Sequence, residues 1–445
     1  TSVKIPNTIK VVGSMAFHNC TKLSKVTLPS NLKEIGYNAF DGTTALTTIT
    51  IPKTVTTAGN NVFNGSALKT AAIENGATAV ADNLFSNAKN LTKVTIPNTV
   101  KKVGSMSFYG CKSLSSVTLP NTLTEIGYSA FNGTTALTTI TIPKTVTTAG
   151  NNVFNGSALK TATIENGATA VADNLFSNAK NLTKVTIPNT IKKVGSMSFY
   201  GCKSLSSVTL PNTLTEIGYS AFDGTTALTT ITIPKTVTKA GNDVFEDSGL
   251  KTAAIENGAT AVADNLFSNA KNLTKVTIPN TVKKIGSMSF YGCTKLSSVT
   301  LPNTLTEIGY SAFNGTTALT TITIPKTVTK AGIDVFENSG LKTATIENGA
   351  TAVADNLFSN AKNLTKVTIP NTVKKIGSMS FYDCTKLSSV TLPNTLTSIE
   401  TSAFENCQAM KSITIPKSVT YFGTTAVGYS DGRVIDGFII YGYKN

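Results

Sequence analysis

Proton transfer and nucleophilic attack usually call for histidine, a carboxylate in a perturbed setting or an activated thiol. The chain carries few candidates. His18 is the only histidine, and it stands where Tyr109, Tyr200, Tyr291 and Tyr382 stand in later copies of the same phrase, so it reads as a surface variant. Glu165 and Asp173 recur every 91 residues beside a similarly recurring Glu125. Such recurrence would place several identical acid sites on one scaffold, but solvated loop charge is the simpler reading. Of the six cysteines, Cys20, Cys111, Cys202, Cys293 and Cys384 are spaced by 91 residues, too far apart for bridges in a stacked repeat. They read as small buried packing residues. Only Cys384 and Cys407 sit on adjacent turns, where parallel side chains favour two free thiols. No Cys/His set has zinc spacing and no glycine-rich phosphate loop follows a strand. The reading is a non-enzyme without cofactor or metal.

Whatever function remains must be positioned by a repeat. LTKVTIPNT begins at Leu91 and returns at Leu182, Leu273 and Leu364, within a period of 91 residues. Inside that period the anchors Ile96, Leu119, Ile142, Ile164 and Ile187 are separated by 23, 23, 22 and 23 residues, and there are 19 such anchors from Ile5 to Ile415. Repetition this regular builds a stack of equivalent layers. Val94-Thr95-Ile96 alternates inward and outward with β-branched residues, which predicts a short strand that Pro97 ends. Val100 and Val103 return to the core, Gly104 permits a tight bend, and the stretch around Phe108 predicts one short helical turn. Eighteen of the twenty phenylalanines, from Phe17 to Phe404, fall in one column, as a stacked aromatic spine requires. Phe422 and Phe438 lie outside it. The expected organisation is therefore a curved right-handed solenoid with one parallel sheet over residues 1–420, followed by a divergent end at 421–445. The chain opens partway into a turn, as a fragment of something longer does.

The formal charge of +15 attracts anions. Arg433 is the only arginine, although the guanidinium fork is the preferred tool for phosphates and base edges, so nucleic acid is excluded as a partner. Several lysines also share columns with carboxylates: Lys193, Glu216 and Lys239 are each 23 residues apart, as are Lys284, Glu307 and Lys330. The run GFIIYGY at 437–443 is too short to span a bilayer, and Thr1 begins no secretory leader.

The outward side of the sheet is left as the functional surface. Alternation points Lys93 and Thr95 outward, and the equivalent positions are Ser116 with Thr118, Thr139 with Thr141, and Ala162 with Thr163. The candidate ligand-binding residues are Lys93, Thr95, Thr139, Thr141, Lys184, Thr186, Lys275, Thr277, Lys366 and Thr368. Tight interfaces carry aromatic and arginine anchors, which this face lacks, so repeated weak contacts with an extracellular protein or glycan are expected. Tyr109 and Tyr128 with their copies read as packing between turns. Other readings of the chain are a passive spacer and an ice-binding threonine array, the second opposed by lysines on the face.

KVTIPNTVKKVGSMSFYGC at Lys93 to Cys111 and SVTLPNTLTEIGYSAF at Ser116 to Phe131 resemble the BspA-like leucine-rich-repeat proteins, and the resemblance covers nearly the whole chain. It implies a leucine-rich-repeat fold and a place among surface-exposed proteins of host-associated bacteria and some protozoan parasites, with adhesion to host matrix or other cells as the associated role. Two departures stand out. Glu165-Asn166-Gly167 replaces the proline of the fourth turn, and Thr99 occupies the place where ordinary leucine-rich repeats carry the asparagine of their ladder.

Overall fold

Short strands form where β-branched residues alternate with polar ones. The computed structural model describes residues 1–431 and 433–442, and the chain divides into two units, Thr1–Leu228 and Thr229–Asn445. In the first, strand Lys93–Thr95 turns Val94 into the core, 4% exposed, and leaves Lys93 and Thr95 in solvent. It pairs in parallel with Thr70–Ile73 on one side and Ser116–Val117 on the other. Thr139–Ile142, Thr161–Ile164 and Lys184–Thr186 form the next parallel group. Within each group a strand pairs with its equivalent one turn later, as a stack of interchangeable layers demands. Between Ser116–Val117 and Thr139–Ile142 the ladder lapses.

A second parallel ladder runs alongside, made of two-residue strands. Ala79–Val80, Lys102–Val103, Glu125–Ile126 and Thr148–Ala149 pair in order. Val103 and Ile126 are fully buried. The following glycine packs directly on the layer beneath: a Cβ on Gly104 would lie 2.6 Å from the Val80 carbonyl oxygen, closer than any side chain tolerates.

The expected short helical turn around Phe108 is absent, and no helix occurs among the described residues. Met106 and Gly110, four residues apart, hold left-handed φ values of 53° and 67°, and a residue in that region at this interval interrupts any α-helix. The amides divide their labour instead. Those of Met106, Phe108 and Gly110 donate to Tyr128, Ala130 and Asn132 on the next layer at 2.8–2.9 Å, while those of Ser107, Tyr109 and Cys111 close tight turns within their own. Alternate N–H groups thus make a third set of interlayer bonds where a helix would have spent them internally.

The phenylalanine spine is the core. Phe40 through Phe222 are fully buried, and consecutive rings stack with centroids 5.1–5.9 Å apart. Stacking of this kind adds roughly 0.5–1.5 kcal/mol per pair to the burial itself. Where the spacing drops to 22 residues, at Phe63–Phe85 and Phe154–Phe176, the ring planes open to 22° and 21°. The short step lacks one residue ahead of the strand, and the Asn90 side-chain amide donates to the Ser66 carbonyl at 2.7 Å.

A hydroxyl ladder closes the turn in three layers of every four, with glycine taking the threonine's place in the fourth, as at Gly76 and Gly167. Thr99 Oγ1 donates to the Ala77 carbonyl at 2.7 Å, Thr122 to Val100 at 2.7 Å, Thr145 to Leu123 at 2.6 Å and Thr190 to Ala168 at 2.6 Å. The residue that departs from the asparagine pattern thus satisfies backbone carbonyls by another route.

The second unit repeats these relations. Thr321–Ile324, Thr343–Ile346 and Lys366–Thr368 pair in parallel, and the ring planes again open, to 23° at Phe245–Phe267 and 22° at Phe336–Phe358. The spine ends at Phe404. Beyond it, Ser412–Ile415 pairs in parallel with Ile439–Gly442, and Tyr429–Ser430 with Arg433–Val434 in antiparallel. Ile439, Ile440 and Tyr441 are exposed there. Of the expected divergent end, Gly432 and residues 443–445 lie outside the described residues, Tyr443 of the apolar run among them.

Candidate functional site: the sheet face

All ten candidate residues are exposed on their strands. The structure gathers some of them and separates the rest. Where the ladder lapses between Ser116–Val117 and Thr139–Ile142, the outward face sinks into a hollow of about 650 Å³, floored by Thr118, Thr139, Thr141, Thr161 and Thr163 and closed at one end by Glu165. Thr139 pairs with Thr161, and Thr161 with Lys184, so Lys184 and Thr186 continue the same face one strand on. An equivalent hollow of about 560 Å³ holds Thr48, Thr50, Thr70 and Glu74 with Lys93 and Thr95 at its side. In the second unit a hollow of about 460 Å³ is lined by Thr321, Thr323, Thr343, Thr345 and Glu347. Lys366 is the neighbour of Thr343 in register, and Lys275 and Thr277 stand beside Thr252 and Ala254.

One expected position is corrected. Ala162 is buried, 2% exposed, and the outward pair on that strand is Thr161 with Thr163. The residue missing from the short step falls before the strand, so counting on by 23 from Thr139 of the preceding turn misses the alternation by one. The correction enriches the face: complete Thr-x-Thr pairs stand side by side on neighbouring strands at Thr139/Thr161 and Thr321/Thr343.

The recurring acids have backbone partners. Glu165 Oε2 accepts the Lys144 N–H at 3.2 Å, and Glu74 accepts that of Lys53 at 3.0 Å. These amides follow the strand-ending prolines, and the Glu-Asn-Gly turn brings the carboxylate onto them. Gly167 takes φ +97° to do so. Asp173 Oδ1 likewise accepts the Ser196 N–H at 2.8 Å, and Asp82 that of Ser105 at 2.8 Å. Solvated loop charge therefore understates them, since each ties its layer to a neighbour. Sequence reasoning missed Glu165 as a wall of the hollow; its only signal was its recurrence opposite the threonine strands.

Elsewhere the titratable groups are structural. Lys102 meets Glu125 at 2.9 Å and Lys193 meets Glu216 at 2.9 Å. The hydrogen bond that each ammonium donates to its carboxylate pushes the lysine above the ordinary range. Glu307 engages Lys284 at 2.8 Å. His18 Nδ1 lies 3.5 Å from Asp41 Oδ2. Cys111, Cys202, Cys293, Cys384 and Cys407 are buried free thiols, whereas Cys20 is exposed. Cys111 Sγ donates to the Phe85 carbonyl at 3.1 Å, and burial pushes these thiols up, Cys407 to about 12. Among the described residues no group of three His, Cys, Asp or Glu side chains is placed to hold a metal ion, and no helix is long and apolar enough to cross a membrane. What the face can do chemically is donate and accept hydrogen bonds from rows of hydroxyls beside scattered ammonium groups.

Comparison with known proteins agrees with this architecture. No curated protein matches the chain. Among solved structures, it is similar to a leucine-rich repeat protein from Bacteroides ovatus at 26% identity, covering 83% of this chain and 84% of that one with a TM-score of 0.50. It is also similar to a leucine-rich repeat protein from Eubacterium ventriosum, at 29% identity, 72% and 84% coverage and a TM-score of 0.43. A leucine rich cell surface protein from Faecalibacterium prausnitzii shares 24% identity over 83% of this chain and 78% of that one, with a TM-score of 0.29. The BspA type leucine rich repeat region matches in six copies, over residues 1–112, 78–205, 169–282, 260–368 and 351–431. With strand ladders, aromatic spine and repeat signature in agreement along nearly its whole length, the chain belongs to the BspA type leucine-rich-repeat family.

Proposed function

We propose that this protein is a non-enzymatic binding protein exposed outside the cell, which holds an extended protein or glycan through repeated shallow contacts along its sheet face. One observation carries the reading: hollows floored by threonine hydroxyls recur at equivalent places in the repeat, each closed by a glutamate that the fold itself holds in place. Shallow sites of this kind bind weakly one at a time and gain strength when several are engaged by one chain. Family membership supports both the placement outside the cell and the absence of catalysis.

The test is a binding screen of the purified protein against matrix proteins and glycans, run beside K93E/K184E/K275E/K366E and beside a variant with Thr139, Thr141, Thr161 and Thr163 changed to alanine. A ligand whose affinity falls on the order of tenfold with either variant supports the sheet face, as loss of one contact among several predicts. A ligand indifferent to both sets, or no ligand at all, overturns the assignment.

A further inference from the structure

Charge is shared unevenly between the two units. Residues 1–228 carry 19 lysines against nine carboxylates, whereas residues 229–445 carry 20 basic residues against 15. The surplus has an address. On the loops just ahead of the strands, Lys89 and Lys112 lie one above the other on successive layers, where the Ser113 amide donates to the Lys89 carbonyl at 3.2 Å. Lys180 and Lys203 are the same two positions 91 residues further on. All four are exposed, and among the described residues none has a carboxylate oxygen within 4.0 Å.

In the second unit the same column is neutralised. Lys271 meets Glu246 and Asp247, each at 3.4 Å, and Lys362 meets Asp383 at 3.1 Å. The first unit has Asn155-Gly156 where the second has Glu246-Asp247, and Gly110 and Gly201 where it has Asp383. The second lysine of each pair is also replaced, by Thr294 and Thr385, and the adjacent Lys295 and Lys386 reach asparagine carbonyls at 2.8 Å. One column thus exists in two forms, with and without built-in counter-charges.

We infer that the paired lysines Lys89–Lys112 and Lys180–Lys203 of the first unit form an anion-binding strip that holds a linear sulfated or carboxylated polysaccharide. Each pair offers two ammonium groups one layer apart, about 4.8 Å at the spacing of strands, and the pairs repeat every four layers, about 19 Å. A flexible polymer with a charge on every few sugars meets both pairs at once. Its other requirement is hydrogen bonding to hydroxyls, which Ser113 and Thr135 supply beside Lys112. The strip has no arginine fork for bidentate phosphate contact and no aromatic ring in its column for stacking bases, which sets it apart from a nucleic-acid surface. It has no apolar flank, as a membrane-resting face would. This site lies on the loops rather than on the sheet face and does not depend on the function proposed above.

Heparin is the probe, with neutral dextran, duplex DNA and phosphatidylserine vesicles as alternatives, measured with the full chain at low and physiological salt. K89Q/K112Q/K180Q/K203Q should weaken heparin binding on the order of tenfold or more, because contacts along one polymer multiply. K271Q/K362Q should leave it unchanged, and replacing the four lysines by arginine should retain it. Unaltered circular dichroism and melting would show that each variant is folded. Equal losses in both glutamine variants, no loss in the first, equal binding of dextran, or tighter binding of DNA or vesicles than of heparin would each overturn the inference.

Discussion

Four serines test how strictly the layers are built. Ser107, Ser198, Ser289 and Ser380 are fully buried, and each hydroxyl lacks a hydrogen-bond partner among the described residues. A desolvated hydroxyl without a partner costs roughly 1–3 kcal/mol. Alanine keeps the Cβ, and alanine already occupies the equivalent position one layer on at Ala130, where the Phe108 amide finds the Ala130 carbonyl at 2.9 Å just as Phe85 finds that of Ser107. The void left by one oxygen costs only about 0.5 kcal/mol at ~24 cal/mol per Å³. Each Ser→Ala change should therefore stabilise its unit by about 0.5–2.5 kcal/mol, two such changes falling in each unit. With no tryptophan in the chain, urea unfolding is best followed by far-ultraviolet circular dichroism. Because a long repeat array need not unfold in one step, the midpoint of each transition is read separately. Midpoints that rise with S107A/S198A support the reasoning. Midpoints that fall would show the hydroxyls to be satisfied, by a buried water or by another acceptor, and would refute it.

Three further outcomes are expected. Thr122→Val should destabilise by about 1–2 kcal/mol, because it removes the hydroxyl bonds to Val100 and Asn98 and leaves a part-buried carbonyl unpaired, whereas Thr122→Ser should not; thermal melting compares them. Gly195→Ala should cost about 1–3 kcal/mol or prevent folding, since its Cβ would lie 2.6 Å from the Val171 oxygen, while Gly13→Ala, with open space around it, should be near neutral. A thiol-specific chromogenic reagent should label only Cys20 in the folded protein. The buried thiols hold their protons to higher pH than the unfolded chain does, so the stability they contribute is complete below about 9 and should decline as pH climbs from there towards about 12. Urea midpoints across that window check the direction, and midpoints that rise would contradict it.

The strands, the spine and the interlayer register were legible because they rest on alternation and on fixed spacing. Val94 and Phe108 carry their positions in residue type alone. The loop around Met106 was not legible: methionine and serine in left-handed conformation, as at Met106 and Ser129, give no glycine to mark the place. The Ala162 position failed for a countable reason, since a single residue missing before a strand exchanges inside for outside. Thr99 and its copies looked like ordinary turn threonines, and only the distance to the carbonyl beneath reveals a ladder. The hollows had no sequence signal, because they arise where interstrand bonds lapse and no residue type announces a bond that is not made. Of the candidate site, the exposure of the ten residues was readable; their grouping around Thr139 and Thr141 was not.

The tilted ring pair that follows every short step sets the grain at which this molecule can be lengthened or trimmed. Adding a single layer would throw the tilt out of phase with the hydrogen bonds that accommodate it, such as Asn90 to Ser66. Excising residues 91–181 would instead join Asn90 to Leu182, and the text across the seam would still read Asn-Leu-Thr. Growth and loss by whole blocks of four therefore leave every surviving neighbour relation intact, so reach along the axis can change while the surface chemistry stays the same.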